Sequence, residues 1–108
     1  MSHLTTHVLD GSRGLPADGV TVRLTDGEGV LVAEGSTDAD GRIPDFGPDR
    51  LPTGTYHVTF GTGAYFAAAG VPTLYPSVTI TIAVDADAAH YHVPLLLSPF
   101  AYSTYRGS

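Results

Sequence analysis

The sequence predicts an all-β domain: a two-sheet antiparallel β-sandwich of seven to eight strands with one short helix. Three observations carry that prediction. Apolar residues recur with period two over short stretches, clusters of Gly, Pro and Asp separate those stretches, and helical character is confined to one segment. The 108 residues form a single domain, 1–108. That length allows roughly 60 to 70% of the unfolded chain's surface to be buried around one core.

The elements follow in order. Leu4, Thr6 and Val8 alternate with His3, Thr5 and His7, which predicts a first strand with His7 on the face opposite Val8. Asp10-Gly11-Ser12-Arg13-Gly14 then breaks the pattern. Val20, Val22 and Leu24 alternate with Thr21, Arg23 and Thr25, and the turn Asp26-Gly27-Glu28-Gly29 passes the chain to 30–33. This pair reads as a hairpin. The Asp spacing of Thr37-Asp38-Ala39-Asp40-Gly41-Arg42 is that of a calcium loop, but Gly47 falls where such a loop requires a bidentate Glu. An Asx-type turn explains Asp38 and Asp40 instead. Pro44, Pro48 and Pro52 make 43–53 an irregular edge segment.

Tyr56, Val58 and Phe60 share one face of the next strand, with His57 opposite. Thr62 is the expected N-cap of the helix, and Gly70 followed by Pro72 ends it after about two turns. Val78, Ile80, Ile82 and Val84 give the clearest alternation in the chain. In 88–98, Tyr91, Val93, Leu95 and Leu97 share one face, and His90 and His92 the other. Pro94 predicts an edge strand or a bulge there. Pro99 turns the chain into a last strand, 100–105.

Composition removes several function classes. Without Cys the chain has no disulfide, thiolate nucleophile or Cys-based zinc site. It also lacks Lys, Asn, Gln and Trp, so Schiff-base chemistry and a carboxamide oxyanion hole are excluded. The net charge is −6, and the arginines are scattered at 13, 23, 42, 50 and 106, which speaks against a nucleic-acid partner. No cationic leader precedes an apolar core, and no apolar run approaches the roughly eighteen residues of a membrane span. A soluble, cytoplasmic protein with no membrane partner is expected.

Chemistry falls to His, Arg, hydroxyls and the backbone. His7 and His92 project away from their apolar neighbours and titrate near neutrality, which suits an acid/base pair. On a strand's wet face, however, an outward histidine is more often merely solvated or in an interface, and His3 and His57 read that way more strongly still. His90 and His92, two apart, have a spacing that can chelate zinc, but no third ligand is near in sequence, so no metal is expected. Arg42 follows a tight Asp-Gly turn from which a guanidinium can be aimed at a carbonyl; paired with Asp38, Asp40 or Asp45 it would be an ordinary surface arginine. The tail Tyr105-Arg106-Gly107-Ser108 adds a phenol, a cation, a hydroxyl and a carboxylate.

Taken together, these motifs resemble a known family. Leu4-Thr5-Thr6-His7-Val8-Leu9-Asp10, Thr37-Asp38-Ala39-Asp40-Gly41-Arg42, Gly63-Ala64-Tyr65-Phe66, the run from His90-Tyr91-His92 to Ser98-Pro99, and Tyr105-Arg106-Gly107-Ser108 are similar to the 5-hydroxyisourate hydrolases, transthyretin-related enzymes of urate breakdown. The resemblance spans essentially the whole chain, and the terminal tetrapeptide is its most specific part. It implies a transthyretin-like (prealbumin-like) sandwich, a homotetramer built as a dimer of dimers with sites in the channel between dimers, and no metal or organic cofactor. It implies hydrolysis of 5-hydroxyisourate to 2-oxo-4-hydroxy-4-carboxy-5-ureidoimidazoline. By the same resemblance His7, Arg42, His92 and Ser108 are catalytic, and His7, Arg42, Tyr105, Arg106 and Gly107 bind substrate. The alternative is a transthyretin-like carrier that holds an aromatic ligand in that channel without turning it over.

Overall fold

The computed structural model describes residues 2–108. Among them the elements run β1 (Leu4–Asp10), β2 (Leu15–Pro16), β3 (Thr21–Asp26), β4 (Leu31–Ser36), β5 (Gly54–Phe60), α1 (Thr62–Ala68), β6 (Val78–Val84), β7 (Tyr91–Ser98) and β8 (Ala101–Thr104). Two four-stranded sheets result, ordered β2-β1-β7-β8 and β4-β3-β5-β6. The period-two stretches supply the core between them. Leu4, Val8, Leu95 and Leu97 from the first sheet meet Val22, Leu24, Val58 and Phe60 from the second, all fully buried. Each such side chain contributes about 1.5 to 3 kcal/mol through burial.

The expected hairpin joins β3 to β4 through the predicted turn. The proline-rich stretch after Arg42 forms no strand, as expected, yet it is not peripheral, because Ile43, Phe46 and Leu51 bury their side chains in the core. Asp38 makes the expected Asx turn, accepting the N–H groups of Asp40 and Arg42 through Oδ1 at 2.9 and 3.1 Å. At Asp10 burial opposes the charge, but N–H and O–H donors from Ser12, Arg13 and Tyr65 outweigh it and lower the carboxyl's pKa. That carboxylate ties α1 to the end of β1.

Four expectations change. The sandwich is not wholly antiparallel: β1 and β7 run parallel, from Leu4 opposite Tyr91 to Asp10 opposite Leu97. Since most of the chain, including the entire second sheet, lies between them, no hairpin dictates their relative direction. Pro94 marks no edge either, because β7 lies between β1 and β8 and Pro94 is buried. The Tyr91 N–H donates to the His3 carbonyl on the β1 side. N–H groups alternate sides along a strand, so the Pro94 nitrogen faces β8. There the ladder stops at Leu95–Thr104 and resumes, in the same register, at His92–Gly107. The missing N–H of proline thus falls in a gap of the ladder.

Thr62 does not cap the helix. Gly61 occupies the N-cap position without a side-chain bond, and the Thr62 hydroxyl donates to the Tyr75 carbonyl at 3.0 Å, fastening α1 to the following loop. His3 is not on a wet face: it is 3% exposed, with Nδ1 accepting the Leu51 N–H at 2.9 Å and Nε2 donating to the Ala88 carbonyl at 2.8 Å. It is a buried structural histidine that pins the proline-rich stretch and the start of β7 to β1.

Candidate active site

The parallel pairing of β1 and β7 builds the site. Residues directly opposite in a sheet point to the same face. On the outer face of the first sheet, Thr5 lies opposite His92, and His92 opposite Gly107. In the adjoining row Arg42 bridges to His7, and His7 lies opposite Pro94. His7, Arg42, His92 and Gly107 therefore share one surface, although they come from four separate parts of the chain.

Local chemistry fixes each member. The Asx turn at Asp38 aims the chain so that the Gly41 carbonyl accepts the Val8 N–H at 2.8 Å, which lays Arg42 against β1. Gly41 has φ +77° and sits so close to the Val8 carbonyl that no Cβ fits. The Asp38 carboxylate is turned to the backbone, and the Arg42 guanidinium has no hydrogen bond or ion pair among the described residues. It is exposed beside His7 and free to meet a ligand. The His7 Nε2–H donates to the Asp40 carbonyl at 2.8 Å, so Nδ1 is the nitrogen available for chemistry.

His92 is held from both sides. Its Nδ1 lies 2.8 Å from Thr5 Oγ1, which also contacts His90 Nε2 at 2.8 Å. On the other side the Gly107 N–H donates to the His92 carbonyl at 2.8 Å, and a Cβ at Gly107 would stand 2.5 Å from His92 Cδ2. Thr5 against one ring edge and glycine against the other leave the Cε1–Nε2 end projecting off the sheet. Burial, followed by the positive charges of Arg42, His7 and His90, holds the His92 imidazole below its ordinary value of 6.5. It is therefore neutral at neutral pH and able to accept a proton.

The tail is divided. Gly107 joins His92, but the Arg106 guanidinium stacks 4.6 Å above the Tyr91 ring and donates to the His90 carbonyl at 3.3 Å. Tyr91 alternates with His92, so Arg106 is on the other side of β7. With Tyr105 it lines a pocket of about 330 Å³ alongside Ile80, Ile82, Tyr91 and Val93. Tyr105 and Ser108 are exposed, and Ser108 makes no hydrogen bond among the described residues. The structure thus brings His7, Arg42, His92 and Gly107 together, sends the Arg106 side chain to Tyr91, and leaves Tyr105 and Ser108 exposed. Thr5 is the residue that the sequence reading missed, although its place two residues before His7 already put it on the same face.

Among the described residues no group of three or more His, Asp or Glu is placed to hold a metal ion, and no helix is long and apolar enough to cross a membrane. Residues 4–107 match the HIUase/Transthyretin family. The chain belongs to that family. One member, the 5-hydroxyisourate hydrolase of Caulobacter vibrioides, is 48% identical over the full length of both chains. Among solved structures, the 5-hydroxyisourate hydrolase of Klebsiella pneumoniae is 46% identical and superposes with a TM-score of 0.90, covering 99% of this chain and 100% of that one. A sea bream transthyretin in complex with thyroxine is 31% identical with a TM-score of 0.91, covering 97% of this chain and 94% of that one. Family members of either kind thus share the sandwich, and sequence identity is higher to these hydrolases.

Proposed function

We propose that the chain hydrolyses 5-hydroxyisourate at a ring amide, giving 2-oxo-4-hydroxy-4-carboxy-5-ureidoimidazoline. The observation that carries this reading is the convergence of His7, Arg42 and His92 on one sheet face, in a chain 48% identical end to end to a 5-hydroxyisourate hydrolase. Opening an amide requires a base for water, positive charge for the developing oxyanion and a proton for the departing nitrogen.

His92, neutral and projecting Nε2, takes the proton from water as its oxygen attacks the carbonyl carbon. Arg42 holds the planar substrate and stabilises the oxyanion. His7, tied through Nε2 to the Asp40 carbonyl, uses Nδ1 to orient the water or, when protonated, to give the ring nitrogen its proton as the C–N bond breaks. The backbone at Gly107 closes the side of His92, and Ser108, next to it in the same segment, relays the proton from His92 through its hydroxyl. Tyr105 borders the substrate, while Arg106 acts by anchoring the tail to Tyr91 and His90.

The same proposal includes the homotetramer, a dimer of dimers, and cytoplasmic residence. Leu96, Phe100 and Tyr102 are exposed on or near the sheet that carries the histidines, an apolar margin suited to a second copy. Covering the face would exclude water and strengthen the field of Arg42. Nothing specific favours the carrier reading, since a carrier channel calls for an apolar lining and this face presents imidazoles and a guanidinium.

The test is the decay of 5-hydroxyisourate absorbance after urate oxidation, with and without the protein. Acceleration that disappears in His92→Ala is expected. A decay rate equal to the spontaneous one rejects the hydrolase reading, and a nearly fully active His92→Ala rejects the choice of base.

A further inference from the structure

We propose that Thr5 and His90 are positioning residues that keep the proton of neutral His92 on Nδ1, so that its projecting Nε2 carries the lone pair. The inference rests on the reading of His92 as the base. Its physical basis is the count of protons at Thr5. The Thr5 hydroxyl lies 2.8 Å from both His90 Nε2 and His92 Nδ1 and has a single hydrogen. It can donate to one ring only and must accept from the other.

With both rings neutral there are two arrangements. In one, Thr5 donates to His90 Nε2 and accepts from His92 Nδ1–H, and the projecting Nε2 of His92 is bare. In the other, the donors are reversed and Nε2 of His92 carries the hydrogen, so it cannot act as a base. The fixed charge on this face selects the first. Arg42 lies against His7 on the same face, exposed and always charged, and a lone pair at the outer end of the ring is favoured in that field over an N–H dipole directed into it. His90 then completes the arrangement as the acceptor that occupies the Thr5 proton. Arg106 adds a mechanical link, because it donates to the His90 carbonyl and so ties the tail to the residue at the far end of the relay.

The relay differs from a simple packing contact in what its removal does. Thr5→Val keeps shape and loses both hydrogen bonds, whereas Thr5→Ser keeps the hydroxyl. His90→Leu removes the acceptor while leaving Thr5 and His92 in place. Two-bond proton–nitrogen spectra of the imidazole rings in the free protein report the tautomer without any substrate. The wild type and Thr5→Ser should show His92 with Nδ1 protonated and Nε2 bare, and Thr5→Val and His90→Leu should show the proton moved wholly or partly to Nε2. In parallel, kcat should fall on the order of 10- to 100-fold in Thr5→Val, the scale on which a histidine loses the group that orients it, with KM little changed and with recovery in Thr5→Ser. A wild-type His92 carrying its proton on Nε2, or a Thr5→Val protein with unchanged tautomer and unchanged kcat, overturns the proposal. The spectra decide the relay by themselves, so a wild-type protein that fails to accelerate 5-hydroxyisourate decay counts against the hydrolase reading alone.

Discussion

Replacing Gly107 by alanine tests how the tail governs His92. The added Cβ would lie 2.5 Å from His92 Cδ2, 3.2 Å from Cγ and 3.3 Å from Cβ. Carbon atoms in contact settle about 3.5 to 4.0 Å apart, so the ring or the tail must move by about 1 Å. The ring is not free to give way, because Thr5 holds Nδ1 at 2.8 Å on the opposite edge. Either the relay to Thr5 breaks or the hydrogen bond from Gly107 to the His92 carbonyl opens. If the ring gives way, the base is displaced by about 1 Å, which costs about 100-fold in rate, or about 2.7 kcal/mol of transition-state stabilisation; if the tail gives way, His92 loses the backbone that closes its side. Stability should change far less, since Gly107 lies beyond β8 and at most one hydrogen bond of ~1 kcal/mol is lost, a shift of a few degrees in Tm. The assay is kcat/KM for 5-hydroxyisourate generated in place by urate oxidation, with Tm measured on the same preparation. A Gly107→Ala protein with wild-type kcat/KM would refute the argument that this glycine sets the position of His92.

Three further outcomes are expected. Deleting residues 106–108 should remove most hydrolysis while the far-ultraviolet circular dichroism and the cooperative unfolding transition persist, because these residues follow the last strand; full activity of the folded truncate would refute a role for the tail. The acid limb of kcat/KM should lie below pH 6.5, because burial and then Arg42, His7 and His90 depress the His92 pKa and the neutral form persists as pH falls; replacing Arg42 by leucine should move the His92 titration, followed by nuclear magnetic resonance, up toward 6.5. The same depression means that the unfolded chain binds more protons at His92 than the folded one between the two values, so this group's contribution to stability rises with pH across that window and is constant above it. Replacing His3 by leucine should cost roughly 2 to 4 kcal/mol in urea unfolding, since the Leu51 N–H and the Ala88 carbonyl both lose a buried partner.

Which residues face inward and which outward was already legible in the sequence. Period two along 4–8 and 91–97 placed His7 and His92 off the apolar faces, and the Asp-Gly signal at 40–41 placed Arg42 on a tight turn. Both placements hold in the structure. The resemblance covered the whole chain because its motifs are spread from end to end. Alternation constrains a strand only relative to itself, so it could not tell which strands are neighbours or in which direction they run. The parallel pairing of β1 with β7 unites residues 87 apart, as at Thr5 and His92, and no local preference encodes that contact.

Other outcomes were likewise beyond local reading. His3 belonged to an outward period, yet the proline-rich stretch folds over it and supplies both the burial and a donor. Pro94 suggested an edge because proline cannot donate, and only the position of the gap between β8 and the tail shows why an inner strand tolerates it. The four-residue tail read as one wall, whereas alternation across β7 sends Gly107 to His92 and Arg106 to Tyr91. The sequence by itself determined the faces, the turns and the set of reactive groups, because those follow from side-chain period and backbone preference within a few residues. The tertiary structure alone decided which of those groups meet, because hydrogen-bonded pairing and burial between distant segments select one arrangement from the many that the same periods allow.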